Sequence, residues 1–150
     1  MDVILWRHAE AEEGFPDGER RLTPKGCRQA AKVGRWLAGR LEGRYRLLSS
    51  PAARAVETAE ALRGRMEVLP ELNSAADPAA LLAAAGWPEG EGAVVLVGHQ
   101  PMLGEVAAYL LTGRPEPWSV KKGAAWWFRT TDSGGRRETT LRAVVGPDLA

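Results

Sequence analysis

The sequence holds two histidines, and each sits directly behind an apolar run: Val3-Ile4-Leu5-Trp6 leads through Arg7 to His8, and Ala93-Val94-Val95-Leu96-Val97 leads through Gly98 to His99. Imidazole changes charge near neutral pH, so it is the side chain best suited to act there as a base or nucleophile. A lone histidine at such a place is usually a structural hydrogen-bonding group. Two at equivalent places, with none elsewhere, point to function. Arg7 lies at the inner end of a buried run, where an unpaired guanidinium costs several kcal/mol, so it predicts an anion. A third stretch, Leu47-Leu48-Ser49-Ser50-Pro51, carries Arg54 just beyond it, in the first turn of a helix. Taken alone, Arg54 could equally be a solvated surface residue paired to Glu57.

Helix amino-termini add to this pattern. A helix opening at Pro101 directs its positive end toward His99 and leaves the backbone N–H of Gln100 to bind an oxygen. Two arginines, a histidine and two helix amino-termini describe a phosphate or sulfate pocket. Binding alone has no need of His8. A neutral imidazole can attack phosphorus in line while the arginines hold the equatorial oxygens and offset the developing charge.

The elements that must position these groups alternate along the chain. Val3–Trp6 and Ala93–Val97 are short, apolar and β-branched, as buried central strands are. Arg46–Ser49 and Met66–Leu69 are weaker strands. Three helix starts share a polar residue followed by proline, at Thr23-Pro24, Ser50-Pro51 and Asp77-Pro78. The first carries Ala30, Ala31, Val33, Gly34, Leu37 and Leu41 near one face, the second Ala55, Ala59 and Leu62. A fourth helix spans about Pro101 to Thr112 and stops at Gly113. This β-α succession predicts an α/β three-layer sandwich, a mostly parallel central sheet with helices on both faces. Ala124–Arg129 and Thr139–Val145, joined by the turn-rich Asp132-Ser133-Gly134-Gly135, predict a C-terminal antiparallel hairpin at one edge. In such sheets ligands bind beyond the carboxyl ends of the strands, where Arg7-His8, Ser49-Ser50 and Gly98-His99 all fall.

Composition narrows the class. The 150 residues, 45% hydrophobic and 26% charged, suit one domain over 1–150, without internal repeat or linker. A net charge of +1 gives no broad field for nucleic acid. The apolar runs are too short to span a bilayer and no leader pattern precedes Val3, so a soluble cytoplasmic protein is expected. Cys27 alone can form neither an internal disulfide nor a thiolate metal site, and reads as a small buried helix-face residue. No metal and no cofactor are expected. His8-Ala9-Glu10 matches half of a zinc-deaminase signature, whose paired cysteines are missing. Arginine outnumbers lysine sixteen to four, which reads as compositional bias.

Arg7-His8-Ala9 resembles the Arg-His-Gly signature of the histidine phosphatase, or phosphoglycerate-mutase-like, superfamily, with alanine in place of glycine. Leu22-Thr23-Pro24-Lys25-Gly26, the segment from Ser49 to Ala59, and Val97-Gly98-His99 fall in that family's order, over about residues 3 to 112. The resemblance implies that His8 is the phosphorylated nucleophile, that Arg7 and Arg54 bind the phosphoryl group, and that His99 completes the pocket. It also places a carboxylate in Leu69-Pro70-Glu71-Leu72, making Glu71 the proton donor, with Glu10 and Glu12 as competitors. Long insertions that cover the site in other members have no counterpart between Leu62 and Ala93, and an open site suits a bulky or protein-borne phosphoryl group. The chain looks most like the SixA-type phosphohistidine phosphatases, which implies a phosphorylated protein such as a histidine phosphotransfer domain as substrate. Alternatives are a broad small-molecule or sugar-phosphate phosphomonoesterase, and an inactive phosphate-recognition docking module. Lys121 and Lys122 are candidates for the pocket rim. Trp126 and Trp127, on neighbouring strand positions, must face opposite sides of the sheet, while Trp36 and Trp87 read as packing.

Overall fold

The computed structural model describes residues 1–73 and 76–150. Its strands are β1 (Asp2–Arg7), β2 (Tyr45–Ser49), β3 (Met66–Val68), β4 (Ala93–Gly98), β5 (Ala125–Ser133) and β6 (Arg136–Val145). They form one sheet in the order β3-β2-β4-β1-β5-β6. β1, β2, β3 and β4 run parallel, and the β5–β6 hairpin joins β1 antiparallel. The α-helices are α1 (Pro24–Ala38), α2 (Ala53–Ala59), α3 (Pro78–Ala84) and α4 (Met102–Thr112).

Strand alternation divides the apolar residues between two cores, as the period of two requires. Ile4, Trp6, Leu47, Val95 and Val97 meet Val33, Leu37, Ala55 and Ala59 of α1 and α2 on one face. Val3, Leu5, Leu48, Val94 and Leu96 meet Leu81, Leu82, Leu103 and Val106 of α3 and α4 on the other. The expected three-layer sandwich is therefore present. Trp127 and Trp126 face opposite cores as the pleat demands: Trp127 is buried on the α1 side, and Trp126 packs half-buried beside Trp118 on the α4 side.

Local starts and ends follow side-chain chemistry. The Thr23 side chain accepts the Gly26 N–H at the head of α1, Asp77 does the same for Ala80 in α3, and Gly113 closes α4 in a left-handed conformation. Ser50-Pro51 departs from expectation. α2 begins at Ala53, and the Ser50 hydroxyl, rather than capping it, accepts the Ala52 N–H and turns toward His99. α4 likewise begins one residue later than Pro101. Cys27 is exposed, because the buried stripe of α1 runs through Gly26, Ala30, Val33, Gly34 and Leu37.

The connections set up the site. β1 and β4 are neighbours, yet β1 leads to α1 on one face of the sheet and β4 leads to α4 on the other. Loops that part from adjacent strands leave a crevice between them at the carboxyl ends. His8 and His99 stand on its two sides.

Candidate active site

Register brings the pieces together. Arg7 pairs with Gly98 across β1 and β4, and Ser49 pairs with Val97 across β2 and β4. His8, Ser50 and His99 are thereby placed side by side at one end of the sheet. The rings of His8 and His99 lie 5.2 Å apart between centroids and are tilted by 53°.

Backbone bonds fix His8. Its N–H donates to the Gly98 carbonyl at 3.0 Å, and its carbonyl accepts the Gly123 N–H at 3.0 Å. The ring Nδ1 lies 2.8 Å from the Ala9 carbonyl. A carbonyl can only accept, so Nδ1 carries the proton and Nε2 keeps its lone pair. Burial, reinforced by the positive charges of Arg54 and Arg7 and by His99, pushes the His8 pKa down to about 4 against the pull of the Ala9 carbonyl. At neutral pH the ring is an uncharged base.

The turn after β1 is clasped from both sides. The Ala9 N–H donates to the Thr58 hydroxyl, which in turn donates to the Arg54 carbonyl, tying the turn to α2. The Glu10 N–H donates to Gln29 Oε1 of α1. Glu10 Oε2 accepts the Thr23 hydroxyl at 2.7 Å, so this carboxylate serves the head of α1. Gly26 allows the approach: a Cβ there would lie 1.9 Å from the Glu10 carbonyl oxygen.

The two arginines are anchored at one end of the fork. Arg7 donates from Nη1 to the Val120 carbonyl at 2.8 Å. Arg54, only 7% exposed, pairs not with Glu57 but with Asp17, whose carbonyl and carboxylate accept Nη1 and Nη2 at 2.8 and 3.0 Å. Glu57 instead receives Arg21 and the Leu22 N–H. The Nε of Arg7, the Nε of Arg54 and the Nδ1 of His99 are buried without a hydrogen-bond partner among the described residues. Orphaned buried polar atoms are costly, and all three belong to residues whose charges act on His8.

His99 is oriented by Ser50, whose Oγ lies 2.7 Å from Nε2. The hydroxyl proton goes to Asn73 Oδ1 at 3.2 Å, so the serine oxygen accepts from Nε2–H and from Ala52 N–H. Nδ1 then presents a lone pair in the free site and becomes a donor on protonation. Burial first, then Arg54, hold the His99 pKa down at about 4, with Asp17 pulling it the other way.

Other expected residues are placed as follows. Gln100 follows His99, and its side chain bonds the Trp118 carbonyl and the Gly104 N–H, fixing the entry to α4. Glu71 lies exposed on a short 3-10 turn, Pro70–Asn73, two residues before the Asn73 that bonds Ser50. Asp17, Ser50, Asn73 and Thr58 were not singled out from the sequence as site residues. Ser50 has a signal in the sequence only as a helix cap and as part of the Ser49-Ser50 pair at a strand end, and Asp17 has none. Among the described residues no group of three or more His, Cys, Asp or Glu is placed to hold a metal ion, and no helix is long and apolar enough to cross a membrane.

The sequence model of the histidine phosphatase superfamily (branch 1) matches residues 3–77. Phosphohistidine phosphatase SixA of Escherichia coli strain K12 is 33% identical over 126 residues, covering 78% of each chain. The structure of the protein histidine phosphatase SixA in complex with tungstate superposes with a TM-score of 0.81 at 30% identity, covering 99% of this chain and 98% of that one. A SixA-type structure from Nakamurella multipartitia superposes equally well, at 0.81, with 25% identity and coverage of 97% and 95%.

Proposed function

We propose a mechanism for a chain that belongs to the histidine phosphatase superfamily, in which His8 takes the phosphoryl group from phosphohistidine on a partner protein. The chain is a phosphatase of the SixA kind by its likeness in sequence and fold. The observation that carries the residue-level reading is the ring of His8: Nδ1 is committed to the Ala9 carbonyl, Nε2 is unprotonated, and the positive charges of two arginines, each with an orphaned Nε, act on it. The tungstate complex of the relative supports an oxyanion site in this fold, since tungstate is a tetrahedral stand-in for a phosphoryl group.

In the first step His8 Nε2 attacks phosphorus in line. The P–N bond to the substrate imidazole breaks, its electron pair stays on that imidazole, and a phosphohistidine forms on His8. Arg7, Arg54 and the backbone N–H of Gln100 hold the equatorial oxygens, and protonated His99 donates from Nδ1 as negative charge concentrates. In the second step water attacks the same phosphorus, inorganic phosphate leaves, and His8 regains its lone pair. Glu71, on the turn beside Asn73, supplies the leaving-group proton and later accepts one from water. No step calls for a metal. The substrate is a phosphorelay or phosphotransfer protein, for which an open site over a short β3–α3 segment leaves room.

The test is chemical trapping, with chelator present, using a phosphohistidine protein labelled in the phosphoryl group. Rapid acid-free denaturation is expected to leave alkali-stable, acid-labile label on the wild-type chain and none on His8→Ala. kcat/KM on the phosphoprotein should exceed that on a panel of phosphate esters. Faster turnover of the esters would replace the reading with a small-molecule phosphomonoesterase, and phosphate binding without turnover of any substrate would replace it with a docking module.

A further inference from the structure

All four lysines of the chain line a single open groove. Lys25 and Lys32 project from α1, Lys121 and Lys122 from the segment ahead of β5, and Arg28 joins them around a volume of about 560 Å³. Positions 25, 28 and 32 fall at the i, i+3, i+7 spacing that puts side chains in one stripe along a helix. All five cations are exposed, and among the described residues none is in a salt bridge. Asp148 is the one carboxylate in the lining. In a chain of net charge +1, this is a local excess rather than a general basicity.

The type of cation is informative. Several arginines elsewhere are used as forks: Arg54 on Asp17, Arg129 on Asp2, Arg21 on Glu57. Lysine is a mobile, strongly hydrated point charge, suited to attraction at a distance rather than to fixed bidentate contacts. Its confinement to one groove separates that groove from the arginine bias of the chain as a whole.

The groove also abuts the reacting group. Gly123, next to Lys122, donates its N–H to the carbonyls of Arg7 and His8 at 3.1 and 3.0 Å. Gln29, next to Arg28, accepts the Glu10 N–H. One wall, α1, therefore holds the turn after His8, and the other, ahead of β5, holds the carbonyls of Arg7 and His8. The groove thus shares its walls with the residues that hold the backbone around His8 in place.

We propose that this groove docks an acidic face of the phosphohistidine-bearing protein, a partner class that rests on the function proposed above. Five solvated cations spread over two elements do not make a tight pocket for a small anion, which needs desolvated, converging donors. They suit the rim of a protein interface, where charge steers encounter and fixes orientation.

Two synthetic phosphohistidine peptides of identical core sequence, flanked by glutamates or by glutamines, test this. The glutamate-flanked peptide should show a kcat/KM about tenfold higher at low ionic strength, with the advantage fading as salt is added. In a variant carrying Lys25→Glu, Arg28→Glu and Lys32→Glu, and in another carrying Lys121→Glu and Lys122→Glu, the advantage should vanish while the glutamine-flanked peptide is processed as before. Equal wild-type rates on the two peptides, or equal losses on both in the variants, would overturn the docking role. Should neither peptide be turned over, the phosphohistidine reading fails by itself. The groove is then judged by anisotropy with the unphosphorylated glutamate-flanked peptide, whose binding must be present in the wild type and lost in both variants. Binding to phosphatidylserine vesicles in place of that peptide would refute the proposal.

Discussion

Asp17 Oδ2 lies 3.0 Å from Nη2 of Arg54, although the arginine side chain is only 8% exposed and the aspartate 70%. An exposed carboxylate at the head of a short 3-10 turn, Asp17–Glu19, thus reaches the buried guanidinium from outside, and Arg20 steadies it, bonding Asp17 Oδ1 and the Glu12 carbonyl at 3.0 Å each. Hydrogen bonding and charge from Arg54 hold Asp17 below the usual carboxylate range. A phosphoryl dianion arriving at Arg54 meets this fixed negative charge. Asp17→Asn keeps an acceptor oxygen and removes the charge, so inhibition by inorganic phosphate should tighten about two- to fivefold, the scale of a solvent-screened pair. A weaker phosphate inhibition constant in Asp17→Asn would show that the carboxylate serves to aim Arg54.

Acid should unfold the protein through its two histidines. Both are depressed to about 4 from 6.5, chiefly by burial. Between those values the unfolded chain binds more protons than the folded one, so their contribution is whole above about pH 6.5 and is lost as pH falls toward 4. Urea midpoints measured from about pH 7 to 4.5 should decline, and saturating phosphate, which favours protonated His99, should flatten the decline. A combined His8→Ala and His99→Ala variant should lose most of this slope. An undiminished slope in that variant would place the acid sensitivity elsewhere.

Ser50 orients His99 through the contact of its hydroxyl with Nε2. Ser50→Ala leaves Nε2 without its 2.7 Å partner, so the ring can turn and Nδ1 no longer meets the developing charge. kcat should fall roughly tenfold with KM little changed, as expected for an interaction used only in the transition state. Ser50→Thr, which keeps the hydroxyl, should restore most of kcat. A change confined to KM would count against this positioning role.

The proton donor can be separated from the nucleophile by leaving group. Phosphohistidine releases an imidazole that is readily protonated, whereas an alkyl phosphate releases an alkoxide. Glu71→Gln should therefore reduce kcat/KM on alkyl esters by about 10²-fold or more, within the range of general acid catalysis, and reduce it far less on phosphohistidine. Equal kcat/KM for wild type and Glu71→Gln on both substrates would assign the proton to another group.

Gly26 sets how closely α1 packs on the turn after His8. The Cβ of Gly26→Ala would stand 1.9 Å from the Glu10 carbonyl oxygen, and backbone on both sides must give way. Overpacking of this kind costs about 1–3 kcal/mol. Chemical denaturation should register that loss together with reduced activity, since the same turn carries the nucleophile. Full stability and activity would show that the turn is free to move.

The sequence by itself determined the layered architecture and pointed to most of the groups that the fold gathers at the candidate site. Apolar runs of four and five residues, Thr23-Pro24 and Asp77-Pro78 at helix heads, and Gly113 at a helix end are local signals, and β1, β4, α1, α3 and α4 form close to where those signals lie. His8 and His99 stood out because each follows a strand, and parallel strands deliver their carboxyl ends to one side. What the chain could not reveal locally was partnership across it. Arg54 finds Asp17, thirty-seven residues away, rather than Glu57 on its own helix, because burial turns the guanidinium inward and the Asp17 carboxylate is the anion that reaches it. Ser50 bonds His99 across forty-nine residues in place of capping α2, and four lysines from two distant segments meet in one groove. Hydrogen bonds and charge attraction act through space, so strand order and helix packing had to be settled before any of these pairs could exist.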